Sequence, residues 1–133
     1  MSVFVDPSPE QLETFRALPA NVPIFMLNQI RFRERANYPD GKQISGAAAY
    51  GQYATETAPL LQGVGGTVVW RGLPETTLIG PKDEVWDLVF IVRYPDAGAF
   101  LKMITSDEYR DVVKHRRAAV QDSRLIRLGD MEQ

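Results

Sequence analysis

His115 is the chain's single histidine, so any proton transfer through an imidazole has to use it. It lies in Lys114-His115-Arg116-Arg117 towards the end of a helical stretch, with Glu108 and Asp111 ahead of it at spacings of three and four. That spacing suits two roles. One is a surface or capping imidazole, favoured near a helix C-terminus; the other is a group that moves a proton or touches a ligand. Its neighbour Arg116 falls in the middle of the apolar face set by Tyr109, Val112, Val113 and Val120. A guanidinium does not give up its proton, so there it needs a carboxylate, a cluster of carbonyls or an anionic ligand. Asp87 and Asp122 are the natural partners for an internal ion pair, and a stem reaching out to water is a further option.

The stretch from 85 to 94 alternates. Trp86, Leu88, Phe90, Val92 and Tyr94 make one apolar face, while Asp87, Val89, Ile91 and Arg93 make another with a charge at each end. Asp87 and Arg93 are therefore candidate substrate contacts, Asp87 also as a proton carrier; the alternative is a cross-strand or intersubunit ion pair. Asn28 shares a strand face with Ile24, Met26 and Ile30 and needs hydrogen-bond partners there. Tyr53, like Tyr50 and Trp70, fits a core or interface position as well as a ligand contact. With no cysteine and one histidine, no metal site is expected. Gly63-Val64-Gly65-Gly66 follows a helix instead of preceding one, so it reads as a C-cap and turn, not a phosphate loop.

These residues need elements to hold them. Ser8, Pro9 and Gln11 open a short helix over residues 8–18. Residues 23–32 read as a strand, and Tyr38-Pro39-Asp40-Gly41 as a turn. Ser45 opens a helix to about Gln62, with a kink or break expected at Pro59. Two β segments follow, 67–71 (extending towards Ile79) and 85–94, joined by a hairpin loop at 80–84. Asp96 begins a helix, Thr105-Ser106-Asp107-Glu108 caps a further one to about Ala119, and residues 123–128 form an edge strand. The order β-α-β-β-α-β predicts an α+β, ferredoxin-like sandwich with an added N-terminal helix, a single domain over 1–133. One sheet face is then bare and apolar, and a second copy would cover it, enclosing a shared interior pocket.

Fifteen basic against seventeen acidic residues give a net charge near −2, which favours neither nucleic acid nor an anionic membrane as partner. The apolar runs are far too short to span a bilayer, and the start lacks the features of a secretory signal. A cytoplasmic protein without a cofactor is expected; haem's usual axial ligand is histidine, and the only one, His115, sits on a basic helix flank that reads as solvated.

Several segments in order resemble one family: Met26-Leu27-Asn28 to Arg31-Phe32, Ser45-Gly46 with Tyr50 and Tyr53, Val64-Gly65-Gly66, Leu78-Ile79-Gly80-Pro81, Trp86-Asp87, Arg93-Tyr94-Pro95, Tyr109, His115-Arg116 and Asp122-Ser123-Arg124-Leu125. The chain resembles domain of unknown function 1330, an uncharacterised family of the dimeric α/β-barrel superfamily. The resemblance implies a ferredoxin-like protomer and a homodimer, and supplies no activity or catalytic residue. In shorter members the counterpart of Arg116 recurs and that of His115 does not. Elsewhere in the superfamily are cofactor-independent monooxygenases, lactone isomerases, haem enzymes and amino-acid-sensing domains, so fold alone does not name a function.

Three functions stand. The first is an enzyme of cofactor-independent oxygenase or isomerase type, acting on a small organic acid or enolisable molecule. Arg116 or Arg93 would hold the anion, with Asn28 and Tyr53 as further contacts and His115 or Asp87 moving the proton. The second is a non-catalytic protein that binds or senses a small metabolite. The third is a structural subunit with a filled interior, whose Arg116 is satisfied by protein carboxylates.

Overall fold

The computed structural model describes residues 2–131. Ser8 accepts from the Gln11 N–H and starts α1 (Pro9–Ala17). β1 (Ile24–Phe32) leads through an irregular segment to α2 (Gly46–Gly63), which is capped by Ser45. β2 (Thr67–Gly72) and β3 (Leu88–Tyr94) follow. Then α3 (Ala97–Ile104), capped by Asp96, and α4 (Asp107–Ala119), capped by Ser106, lead into β4 (Val120–Leu128). The four strands form one antiparallel sheet of order β2-β3-β1-β4. This is the ferredoxin-like α+β fold.

Four features differ from the expectation; the first is β4, which starts at Val120 directly from the end of α4, three residues earlier than expected. α2 continues through Pro59 without a break. The carbonyl that loses its donor belongs to Thr55, and both residues lie on the exposed side, where water can serve it. β2 stops at Gly72, because Pro74 cannot donate to a ladder, and residues 73–87 form a long loop in place of a short hairpin. β3 starts at Leu88, three residues later than expected, because the Asp87 carboxylate and not a backbone carbonyl takes the N–H of Phe32 (2.7 Å).

The strand alternation sorts the residues as read. Ile24, Met26, Asn28 and Ile30 of β1 share a face with Leu88, Phe90, Val92 and Tyr94 of β3, and this face lies beneath the helices. Two apolar clusters form there, one around Ile24, Met26, Val92 and Phe100, the other around Ile30, Tyr50, Ala119 and Val120. On the opposite face, the register aligns Phe25 with Leu128, Leu27 with Ile126 and with Ile91, and Ile91 with Trp70. Trp70 is 56% exposed there.

The N-terminal segment is tied along β4. The N–H of Phe4 donates to Asp122 Oδ1 (2.9 Å), and Ser123 Oγ donates to the Phe4 carbonyl (2.8 Å). Burial pushes the Asp122 carboxyl up, but the Phe4 N–H, Arg124 and the Ser123 N–H outweigh it and hold it below its ordinary value. A depressed carboxyl stabilises the fold at neutral pH, and that contribution is lost as pH falls through its folded-state value. Asp122→Asn is therefore expected to cost about 1–2 kcal/mol at neutral pH. Urea melts at successively lower pH should show the gap from the parent narrowing; a gap independent of pH would count against the ion pair.

Candidate functional site

A cavity of about 810 Å³ lies inside the protomer, between the helix-facing side of the sheet and the helices. It is thus on the opposite side of the sheet from the shared dimer interior that the strand pattern suggested. Its floor includes Met26 and Asn28 of β1 with Phe90 and Val92 of β3; its roof includes Tyr50, Tyr53 and Thr57 of α2 with Tyr109 and Arg116 of α4. Ala54 and Ala58, one helical turn apart on α2, also line it, and their small size leaves volume that a larger side chain would fill. Residues 4–7, Leu12 and Phe15 close one side.

Arg116 is half-buried in this wall. It donates to the Val5 carbonyl and, at 3.3 Å, to Ser123 Oγ. Among the described residues it has no carboxylate partner. Both aspartates that could have paired with it are engaged elsewhere: Asp122 with Arg124 (2.8 Å), Asp87 with the Phe32 N–H. The internal ion-pair reading of Arg116 therefore fails. Among the described residues the wall carries five arginines (Arg71, Arg116, Arg117, Arg124 and Arg127) against one carboxylate, Asp6. A chain of slightly negative net charge thus holds a cationic cavity.

Overhead, the Tyr53 and Tyr109 hydroxyls bond to each other at 2.8 Å, joining α2 to α4. Burial pushes the Tyr53 and Tyr50 phenols up, with Arg116 pulling part of the way back, so both stay protonated donors. Below, Asn28 spends one N–H on the Met26 carbonyl (3.1 Å), and this is its one side-chain bond among the described residues. The Thr57 hydroxyl is buried at the same wall with no partner among the described residues. An apolar chamber with a cationic wall and scattered hydroxyl and amide groups can hold an organic anion and hydrogen-bond its oxygens.

Of the expected site residues, the fold gathers Asn28, Tyr53 and Arg116 around the cavity and leaves out the other three. Asp87 serves the β1–β3 ladder through its carboxylate and its own N–H, which donates to the Ile30 carbonyl (2.7 Å). Arg93 pairs with Phe25 and Thr67 on the other face of the sheet. His115 is neither a surface group nor a partner of Glu108 and Asp111. It is buried, 6% exposed, with Nδ1 2.7 Å from the Tyr38 hydroxyl and Nε2 3.2 Å from Glu56. The packing of α4 against α2 places Glu56 beside it, a long-range pairing that spacing within α4 cannot reveal. Arg71, Tyr109, Ser123 and Arg127 were overlooked. For the last two the signal was present, since the alternation Ser123, Leu125, Arg127 puts them opposite Ile30 and Met26 on the helix-facing side.

Residues 42–128 match the family described as a domain of unknown function (DUF1330). The chain belongs to this family. Another structure with the fold of this DUF1330 chain is the RPA0582 protein of unknown function from Rhodopseudomonas palustris, 48% identical over 99% of this chain and 100% of that one, with a TM-score of 0.93. A dimeric ferredoxin-like protein of unknown function from Bacteroides fragilis is 8% identical over 83% of this chain and 98% of its own, TM-score 0.52. SnoaB, a cofactor-independent oxygenase from Streptomyces nogalater, is 15% identical over 84% and 96%, TM-score 0.55. The last two likenesses are of fold. No curated protein matches the chain. Among the described residues, no helix is long and apolar enough to cross a membrane.

Proposed function

We propose that this DUF1330 chain takes a small, largely apolar organic acid or enolisable molecule into the protomer's cavity as its anion, and acts on it by cofactor-independent oxygenase- or isomerase-type chemistry. The observation that carries this reading is Arg116, a half-buried guanidinium with neutral protein acceptors only, at the wall of an apolar chamber. A bound carboxylate or enolate would complete its charge balance. The Tyr53–Tyr109 pair and Asn28 supply hydrogen bonds to the developing oxyanion. The Streptomyces nogalater oxygenase is an instance of such chemistry on this fold.

We also propose a homodimer, formed over the open sheet face where Trp70, Ile126 and Leu128 are exposed. The dimeric Bacteroides fragilis protein of the same fold supports it. A second reading, binding without turnover, is favoured by one observation: among the described residues Asp6, paired with Arg117 at 3.3 Å, is the sole carboxylate in the wall, and no imidazole lines it.

The test is a panel of aryl and alkyl carboxylates and β-keto acids, followed in air by thermal shift, oxygen uptake and product chromatography. Stabilisation with product supports the enzyme. Saturable stabilisation without product supports the binder. Stabilisation by neutral analogues as strong as by their acids would overturn the anion site.

A further inference from the structure

Three of the five arginines around the cavity are already matched. Arg117 meets Asp6 at 3.3 Å, Arg124 meets Asp122 at 2.8 Å and Glu84 at 3.6 Å, and Arg127 donates to the carbonyls of Phe15 (3.4 Å) and Pro19 (2.6 Å). Three lack a carboxylate among the described residues: Arg127, which its two carbonyl bonds fasten to the end of α1, Arg116, held by one carbonyl and one hydroxyl, and Arg71, which has no side-chain hydrogen bond there; the last two are the least matched. They stand at opposite edges of the sheet, on the same face. Arg116 bonds Ser123 on β4, at one edge, whereas Arg71 belongs to β2, at the other. The register runs Arg71–Phe90–Asn28–Leu125 across all four strands, so Arg71 rises from the same helix-facing side that forms the cavity floor. Three interstrand spacings separate the edges, about 14 Å.

We infer that the ligand is an elongated molecule with an acidic group at each end and an apolar body between, one acid held by Arg116 and the other by Arg71. The inference rests on the anion-binding reading above and names its substrate class. Between the two arginines the floor is mostly apolar, with Asn28 as a polar position beside Phe90 and Met26. A short monoacid would satisfy Arg116 and leave Arg71 to solvent. A molecule spanning the floor would engage both, and the chain between them would bury its methylenes. Because Arg71 is exposed, its carboxylate contact is screened and adds less than the half-buried one.

The experiment is calorimetric titration of two matched series, octanoate, decanoate and dodecanoate against suberate, sebacate and dodecanedioate. Within one pair, the diacid long enough to reach Arg71 is expected to bind about fivefold tighter than its monoacid. Arg71→Gln should bring that ratio to about one, and Arg71→Lys, which keeps the charge, should retain part of it. A diacid no tighter than its monoacid at every length overturns the inference while leaving Arg116 as an anion site. So does an unchanged ratio in Arg71→Gln. If neither series binds and the neutral alcohols bind instead, the anion-binding reading itself falls.

Discussion

Arg116→Gln is expected to weaken binding of an organic acid by about tenfold to a hundredfold, since a hydrogen-bonded charge contact in a partly desolvated site contributes about 1.5–3 kcal/mol. Any turnover should fall with it. The fold should survive. Arg116 holds a backbone carbonyl and a serine hydroxyl, not a carboxylate, so its replacement strands no opposite charge. The lost bonds, from Arg116 to Val5 and Ser123, are offset in part because a half-buried charge is removed, leaving a cost of about 1 kcal/mol. Titration of the folded variant, with its melting curve and subunit mass measured in parallel, separates the outcomes. Lost binding in a folded protein assigns the anion to Arg116. Unfolding, or loss of the parent's assembly, would make Arg116 a structural residue, and the site would have to be sought elsewhere in the wall.

Gly46→Ala is expected to be among the most damaging small substitutions in the chain. A β-carbon there would lie 2.0 Å from the Arg33 carbonyl oxygen and 2.9 Å from the Arg33 carbonyl carbon and nitrogen. These are backbone atoms, and no rotamer change can move them. The segment is pinned, because Arg33 donates to the Ala119 carbonyl at 2.8 Å and Gly46 itself donates to the Glu34 carbonyl at 3.3 Å. Relief would require shifting the start of α2 away from the segment that follows β1, at a cost of about 3 kcal/mol, or roughly 10 °C in melting temperature for a domain of this size. The same substitution five residues along has the opposite sign. Gly51 is exposed within α2 with nothing inside 4 Å, so alanine there should raise stability by about 0.5–1 kcal/mol. Thermal melts of the two variants decide the matter; equal shifts would contradict the close approach at Arg33.

Local chemistry carried most of the fold. Ser8 and Ser45 cap the helices that they were expected to cap, Ser106 caps α4 one residue beyond the Thr105 that the box Thr105–Glu108 implied, and the alternation from Leu88 to Tyr94 names the buried face of β3. What local chemistry could not settle was the side of the sheet that holds the open volume. Asp87 and Arg93 were favoured by a charge at each end of a strand face, yet that face lies away from the cavity. The volume depends on how far α2 and α4 ride above the sheet, and Ala54 and Ala58 were the available hint. The surroundings of His115 were hidden for a similar reason, since its partners Tyr38 and Glu56 come from distant segments that meet it only in the folded chain. Asn28, Tyr53 and Arg116 could be found because each is a polar group on an otherwise apolar face, and such a group needs an explanation wherever the chain puts it.

The distribution of aromatic residues makes the two faces of the sheet optically separable. Four of the five tyrosines, Tyr50, Tyr53, Tyr94 and Tyr109, border the cavity, whereas neither tryptophan does. Trp70 stands on the open face, and Trp86 lies under the Arg124 guanidinium, 5.0 Å from ring centroid to the cation. Tyrosine dichroism therefore responds to what enters the chamber, and the emission of Trp70, isolated in a Trp86→Phe variant because Trp86 stacks on the wall residue Arg124, reports what covers the sheet. One unlabelled sample of that variant thus carries intrinsic chromophores for both events, and dilution and ligand titration can be followed in the same cuvette.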